Sequence, residues 1–387
     1  MFDLAIIGGG PAGTAAALEA RRCGLRVAVW ERDHLPRHKV CGEFISAEAL
    51  PWLQQVVPRT LERGSVIRDA EFVCENGFTR GFDLPRPARG LSRYWLDRAL
   101  WSAAAENSAE VHEGQSIRAV RKLGGSQSDG GWKLESADGH TEKAKALIVA
   151  CGRWWALEGF SSPIHERKPA GAGKWVGIKA HFAGVAPRGS VEMYLFRGGY
   201  CGLAPIEDGE YNVCCLLRRR CLRDVGMQGI ENLAAWLVQV SCHAALAGRL
   251  QGAMQVSPTV TTAPVLLVRR QPAQEGALLA GDASGFIDPF TGEGISIALH
   301  SGRLAARAIA ASLSMGSGDE HGAEIYRQSL RQAVRRSYKM ATLARGLLHG
   351  SPWVQGLAAT PLPWFGRWLF RETRWREAPK DKAASFT

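Results

Sequence analysis

Three groups of residues have the types and spacing to do chemistry. The first is Gly8-Gly9-Gly10-Pro11-Ala12-Gly13. In a G-x-G-x-x-G of this kind Gly8 permits a tight turn. Gly10 lets backbone approach a pyrophosphate, and Gly13 lets a helix pack closely on a strand. The helix that comes next offers free N–H groups and a positive dipole end to the phosphates. Glu31 closes the next apolar run, where an acid binds ribose hydroxyls, so the group predicts a dinucleotide site. The second group is Gly281-Asp282-Ala283-Ser284-Gly285-Phe286, running through Asp288-Pro289 to Gly292-Glu293-Gly294-Ile295. An aspartate after a buried strand can hold a sugar-like hydroxyl, and a glycine turn opening a helix can stabilise negative charge. The third is Cys41, which comes after the basic loop Arg37-His38-Lys39. Basic neighbours lower a thiol pKa. A small buried residue chosen for packing is the other reading of Cys41.

These groups need elements to position them. Phe2 to Ile7 reads as a buried strand, Gly13 to Arg22 as an alanine-rich helix, and Leu25 to Trp30 as a second strand. That is β-α-β within about thirty residues, the start of a doubly wound parallel sheet. A third strand of that layer is predicted at Ala146 to Ala150. From Ala70 to Leu84, and from Val176 to Leu217, short apolar runs alternate with polar residues and turns. They predict a second, mostly antiparallel sheet, interrupted by sequence of the first domain. Ala277 to Ala280 returns to a buried strand, Gly294 to Leu313 reads as a long helix, and the chain is helical and basic from Glu320. Gly124 to Gly131 reads as a hairpin tip.

Composition bounds the rest. The 387 residues suffice for two domains, and 46% hydrophobic with 22% charged is ordinary for a soluble globular chain. No uninterrupted apolar stretch approaches the roughly 18 residues of a membrane span. The N-terminus lacks a basic region before its apolar run and does not read as a signal peptide, which predicts a cytoplasmic protein. Nine cysteines include no C-x-x-C pair, so free thiols and no metal are expected. The net charge of +11 is spread along the chain without a nucleic-acid motif, and no nucleic-acid partner is predicted.

The N-terminal glycine motif, Lys39-Val40-Cys41-Gly42-Glu43 and the Gly281–Ile295 motif together resemble the geranylgeranyl reductase branch of the para-hydroxybenzoate hydroxylase-like flavoproteins. The resemblance covers roughly residues 1 to 312. It implies an α/β FAD-binding Rossmann-like domain (1–70, 91–160 and 265–312), an inserted, mostly antiparallel β-sheet substrate domain (71–90 and 161–264) and a helical C-terminal region (313–387). It implies FAD as cofactor and NAD(P)H as electron donor. Gly8, Gly10, Pro11, Ala12, Gly13 and Glu31 would bind the ADP half of FAD. Arg93, within Leu91-Ser92-Arg93 and ahead of Leu96-Asp97, would contact the cofactor. Gly281 and Asp282 would bind its ribityl or pyrophosphate region. Gly292, Glu293, Gly294 and Ile295 would lie beside the flavin ring, with Cys41 and Gly42 facing it. Tyr200, Gly202, Ala204 and Pro205 fall on the substrate-cavity pattern Y-x-W-x-F-P. Here glycine and alanine replace its two large aromatics, and the G-x-G downstream is replaced by Asn212-Val213-Cys214, which predicts a cavity of different shape. Related hydroxylases carry an aspartate-glycine pair where this chain has Cys151-Gly152-Arg153. Trp154-Trp155 does not supply the W-x-W-x-I-P signature of flavin halogenases.

The function implied is an FAD-dependent oxidoreductase reducing a carbon–carbon double bond of a hydrophobic small molecule, with Cys41 as proton donor. Hydroxylation of an aromatic or polyketide substrate, and a non-catalytic flavin-binding role, are the alternatives. The other cysteines, Cys214 and Cys215 among them, are expected in the core. In the C-terminal region Trp353, Trp364, Trp368 and Trp375 stand among leucines and arginines. Pro352, Pro361 and Pro363 break any long amphipathic helix, which favours a helical cover over the domains. Peripheral membrane contact is the second reading.

Overall fold

Alternating apolar runs and turns build two sheets, one mainly parallel and one mainly antiparallel. The structure, a computed structural model, describes residues 1–124, 130–153, 156–160, 175–222, 229–265, 270–348 and 363–375. Trp154, Trp155, the tip 125–129, Pro352, Trp353, Leu357, Pro361 and Leu362 lie outside the described residues.

The first sheet has eight strands, with the order 273–274, 277–279, 141–149, 2–7, 27–31 and 110–113 along its main path. Strand Phe2–Ile7 pairs in parallel with Val27–Glu31 on one side and with Thr141–Val149 on the other. Strands Ile117–Leu123 and Gly131–Ser136 form an antiparallel hairpin on the edge of Thr141–Val149. The helix Pro11–Arg22 starts where Pro11 removes an N–H that would have no partner. Its alanines Ala12, Ala16, Ala17 and Ala20 pack against Leu4, Ile6, Val27 and Val29. The helix Gly294–Ser314 lies against it. A Cβ at Gly302 would sit 2.0 Å from the Ala12 carbonyl oxygen, so only glycine permits that approach.

The second sheet has nine strands, with the order 254–255, 175–183, 211–218, 199–205, 190–196, 65–74, 79–90 and 44–45 along its main path. It differs from the expected boundaries in two ways. It takes in Ser65–Cys74 from Ser65 rather than from residue 71, and it takes in Phe44–Ile45. The alternation of Ser65 to Arg68 is disguised because a register shift between Ile67 and Asp69 interrupts it. Ser190–Phe196 also pairs in parallel with Ser65–Cys74, an exception in an otherwise antiparallel sheet. Helices Asp319–Leu348 and Pro363–Glu372 come after the long helix. No helix among the described residues is long and apolar enough to cross a membrane.

Candidate functional site

A cavity of about 880 Å³ runs from the N-terminal glycine turn to a cluster of phenylalanines on the second sheet. At its first end Gly8 has φ +111°, and a Cβ there would lie 2.4 Å from the Ala150 carbonyl oxygen. Gly10 differs. A Cβ there would meet only Arg93 Nη2 at 3.6 Å, so the space over it belongs to the cavity. Gly13 lies outside the cavity wall: its Cα position faces the Gly8 carbonyl oxygen, where a Cβ would come within 1.8 Å. Its role is the close helix–strand packing of the motif rather than ligand contact.

Glu31 ends the second strand at the cavity edge. Its carboxylate accepts from Gly9 N at 2.8 Å, Asp33 N at 3.0 Å and Arg37 Nη1 at 2.9 Å. Burial works to raise its pKa, but Arg37 and the two N–H donors outweigh it and hold the carboxyl below its usual value. An ionised acceptor beside a glycine turn and a helix N-terminus fits an adenosine diphosphate: anionic phosphates at the N–H groups, ribose hydroxyls at the carboxylate.

Cys41 and Gly42 line the middle of the cavity. Glu43, the next residue, fastens their loop. It has φ +54°, its N–H donates to Cys41 Sγ at 3.4 Å, and its carbonyl accepts from Leu91 N at 3.0 Å. Asn212 Nδ2 donates to the Cys41 carbonyl at 3.0 Å. The fully buried Glu43 carboxylate accepts from Lys179 Nζ at 2.7 Å and from Arg93 N at 2.8 Å, and pairs with His181 Nε2 at 2.6 Å. Lys179 is fully buried too, and His181 nearly so. Sequence reading missed both.

The basic loop does not lower the Cys41 pKa. Burial pushes the thiol up, and the Arg93 charge does not offset it. Arg37 is turned to Glu31 and to Asp33 (2.6 Å), and Lys39 to Asp33 (3.5 Å), so neither charge is spent on the thiol. Arg93 lines the cavity with its guanidinium clamped to Asp97 at 2.5 and 2.6 Å.

Gly281, Asp282, Gly292, Gly294 and Ile295 also line the cavity. Gly281 has φ +61° and packs its turn on Ala12, where a Cβ would come within 2.9 Å. Asp282 faces Arg153 Nε at 3.7 Å, and burial pushes its carboxyl up against the pull of Arg153, Arg93 and Arg270. Arg153 thus reaches the motif's aspartate from the Cys151-Gly152-Arg153 segment, where related hydroxylases carry their aspartate-glycine pair. Cys151 donates to the Ile7 carbonyl at 3.2 Å, and burial pushes its thiol up to about 12. Glu293 is the exception in this motif. It turns away from the cavity wall to pair with Arg374 and to accept from Trp375 N at 3.2 Å. The helix cap leaves its side chain outside, where a buried guanidinium claims it.

At the second end Tyr200, Gly202 and Ala204 line the cavity with Phe72, Phe82, Phe290 and Phe370. Pro205 does not: its carbonyl packs on Gly90, where a Cβ would come within 1.8 Å. The buried Tyr200 hydroxyl has no hydrogen-bond partner among the described residues. Cys214 lines the cavity, contrary to the core expectation; Cys215 is buried in the core, 2.9 Å from Cys201 Sγ, and also touches the cavity. From the C-terminal region Phe370 and Thr373 reach the cavity and Trp375 is buried against His300, its ring stacked at 4.8 Å.

Comparison with known proteins agrees with this architecture. Residues 2–156 match the family model described as pyridine nucleotide-disulphide oxidoreductase. The chain is 26% identical over 353 residues to digeranylgeranylglycerophospholipid reductase 2 of Methanopyrus kandleri, covering 89% of this chain and 85% of the relative. It is 27% identical over 330 residues to menaquinone reductase of Mycolicibacterium smegmatis, covering 79% and 75%. Its fold is similar to that of a flavin-dependent brominase, with TM-score 0.74 at 19% identity over 96% of this chain and 93% of that one. The protein is an FAD-dependent oxidoreductase with a Rossmann-like α/β fold. Within that class it resembles the geranylgeranyl reductases, and flavin halogenases are close in fold.

Proposed function

We propose that the chain reduces a carbon–carbon double bond of a hydrophobic small molecule, with NAD(P)H as the electron donor and Cys41 as the proton donor. FAD, when bound, supplies the two-electron chemistry. The glycine turn and Glu31 would hold its ADP half, and Gly292, Gly294 and Ile295 would flank its ring. The observation that carries the reading is Cys41 itself. It stands on a fastened loop between the cofactor end and the phenylalanine end, and burial keeps its thiol protonated. A general acid must hold its proton until the substrate takes it. Loss of that proton leaves a thiolate near Arg93, whose charge favours it. The apolar chamber of Phe72, Phe82 and Phe290 suits a hydrocarbon substrate, with the free Tyr200 hydroxyl as a polar handle. The C-terminal helix acts as a cover of that chamber rather than as a membrane anchor.

The test uses the substrates named by the two relatives, a digeranylgeranylglycerophospholipid and menaquinone. Holoprotein reduced under nitrogen is mixed with each, and product mass reports addition of two hydrogens. Wild type should convert at least one. Cys41→Ala and Cys41→Ser should keep FAD and its reduction but lose product formation by about 100-fold, the usual scale for a lost general acid. Equal rates in all three proteins would remove Cys41 from the mechanism. Substrate turnover only after oxygen is admitted would replace the reductase by an oxygen-using enzyme.

A further inference from the structure

The segment that carries the substrate-cavity pattern is thin in this chain. Gly202 and Ala204 stand at the positions of its two large aromatics, and both line the cavity. Ala70 and Val191, which pack with Ala204, are small as well, whereas Gly202 lies opposite Met193 on the sheet. Over Ala204 the bulk comes from the opposite side. Phe370, on the helix Pro363–Glu372, enters the cavity with its ring 6.3 Å from Phe44 and 6.2 Å from Phe82, edge-on to the first (88°) and steeply inclined to the second (66°). Those are the spacings of favourable aromatic pairs, so its ring orientation is fixed by neighbours on two strands.

Phe370 is also held from behind. The Arg374 guanidinium lies 3.3 Å from its ring centroid, and Arg374 Nε donates to its carbonyl at 3.1 Å. Arg374 is buried and fixed in turn: it pairs with Glu293, donates to the Thr291 carbonyl at 3.0 Å, and its own carbonyl accepts from Ser337 Oγ at 3.2 Å. Thr291 and Glu293 flank the Gly292 turn, and Gly292 packs on Phe44, where a Cβ would come within 2.9 Å. Phe44 comes directly after the Cys41–Glu43 loop. One aromatic ring is therefore tied both to the turn assigned to the flavin ring and to the loop carrying Cys41.

We propose that Phe370 is the specificity-determining wall of the substrate chamber and that Arg374 is its positioning residue, so that the C-terminal helix sets how long a hydrophobic substrate can be. This rests on the reading that a hydrophobic substrate occupies the phenylalanine end. The side chain at 370 fills space that the small residues around Ala204 leave open. Shortening it extends the chamber along the helix, and enlarging it truncates the chamber.

The experiment needs no turnover. Oxidised holoprotein is titrated with 2-methyl-1,4-naphthoquinones carrying 3-alkyl chains of increasing length, and binding is read from the flavin difference spectrum. Phe370→Ala should move the tightest-binding chain to a longer one and improve the longest members by about tenfold relative to the shortest. Phe370→Trp should move it to a shorter one. Phe370→Leu should fall between wild type and alanine, and it serves if the alanine protein does not fold. Glu293→Gln with Arg374→Met removes both charges together and should flatten the length preference by freeing the Phe370 ring, although residue 370 itself is unchanged. An unchanged length ranking in the alanine, leucine and tryptophan proteins would overturn the proposal, as would absence of binding by every member to wild type and variants alike. A shifted ranking without any double-bond reduction would keep this assignment and reject only the reaction proposed above.

Discussion

Two fully buried glutamates, Glu43 in the cavity wall and Glu293 turned away behind it, have environments that drive them in opposite directions. Glu43 meets Lys179 Nζ, His181 Nε2 and the Arg93 N–H, and its carboxyl is held below the usual value of 4.5 although burial opposes this. Glu293 meets one guanidinium and the Trp375 N–H, and burial pushes its carboxyl up to about 6 against the pull of Arg374, with Glu48 adding repulsion. The loss of hydration is common to both. What differs is the number of cations and donors that replace water. A single ion pair does not offset the burial of its own members, and the lowered pKa of Arg374 points the same way. The ion cluster behind Cys41 is therefore a rigid support. The pair behind Phe370 is a latch that holds geometry at a cost in stability.

The largest effect should come from unbalancing the stronger cluster. Lys179→Met leaves Glu43 buried with His181 as its one remaining side-chain partner, and removing one member of a buried pair costs about 3–5 kcal/mol. Urea unfolding of the full chain should show that loss, and Lys179→Met combined with Glu43→Gln should recover most of it. A loss under about 1 kcal/mol for the single substitution would mean that the cluster is not what fixes this loop.

The contrast also marks what could be read in the sequence. The cofactor end was legible because its chemistry is local. Gly8, Gly10 and Glu31 fall within one β-α-β unit, and no distant residue is needed to interpret them. Gly13 belongs to the same motif, but packing and not ligand contact uses it. Lys179 and His181 were hidden by period-2 alternation. In Trp175–Ala183 the apolar residues Val176, Ile178, Ala180 and Phe182 face one core, so Lys179 and His181 read as the solvated face of a strand. That face instead meets a loop 136 residues earlier in the chain, a pairing that no local pattern encodes. Gly302 carried a usable signal: a glycine inside a long alanine-rich helix asks for a close approach. Arg374 and Phe370 carried none, because a Trp-rich basic stretch has the same composition whether it covers a cavity or faces lipid.

A smaller effect is expected at Glu293. Its folded pKa is raised from 4.5 to about 6, so between those values the folded chain binds more protons than the unfolded one. Its contribution is thus complete below pH 4.5 and is lost as pH rises through about 6, a change of about 2 kcal/mol. Glu293→Gln should abolish that slope, while the Arg374 guanidinium it leaves buried and unpaired lowers stability at every pH. Glu43 must behave oppositely. Its contribution is present above 4.5 and is lost only as pH falls through its depressed value. Urea midpoints measured from about pH 2 to 8 check both signs. An unchanged slope in Glu293→Gln would show that this carboxyl is not the group that titrates.

The smallest effect belongs to Glu210, the outermost carboxylate of the stronger cluster. It lies 3.9 Å from His181 Nδ1, too far for a hydrogen bond, with about a third of its side chain exposed at 32%. Burial raises its pKa, and Glu207, Asp208 and Glu43 add repulsion that His181 opposes. A carboxylate so placed remains hydrated and has little to lose, so Glu210→Gln should change stability by less than about 1 kcal/mol. It should also leave FAD occupancy unchanged, since the fastening of the Cys41 loop runs through Glu43 and Asn212. Urea unfolding in low and high salt decides the matter. A loss of several kcal/mol that salt does not reduce would place Glu210 inside the support, and the difference between Glu43 and Glu293 would then reflect two carboxylates and their cations rather than the single carboxylate of Glu43.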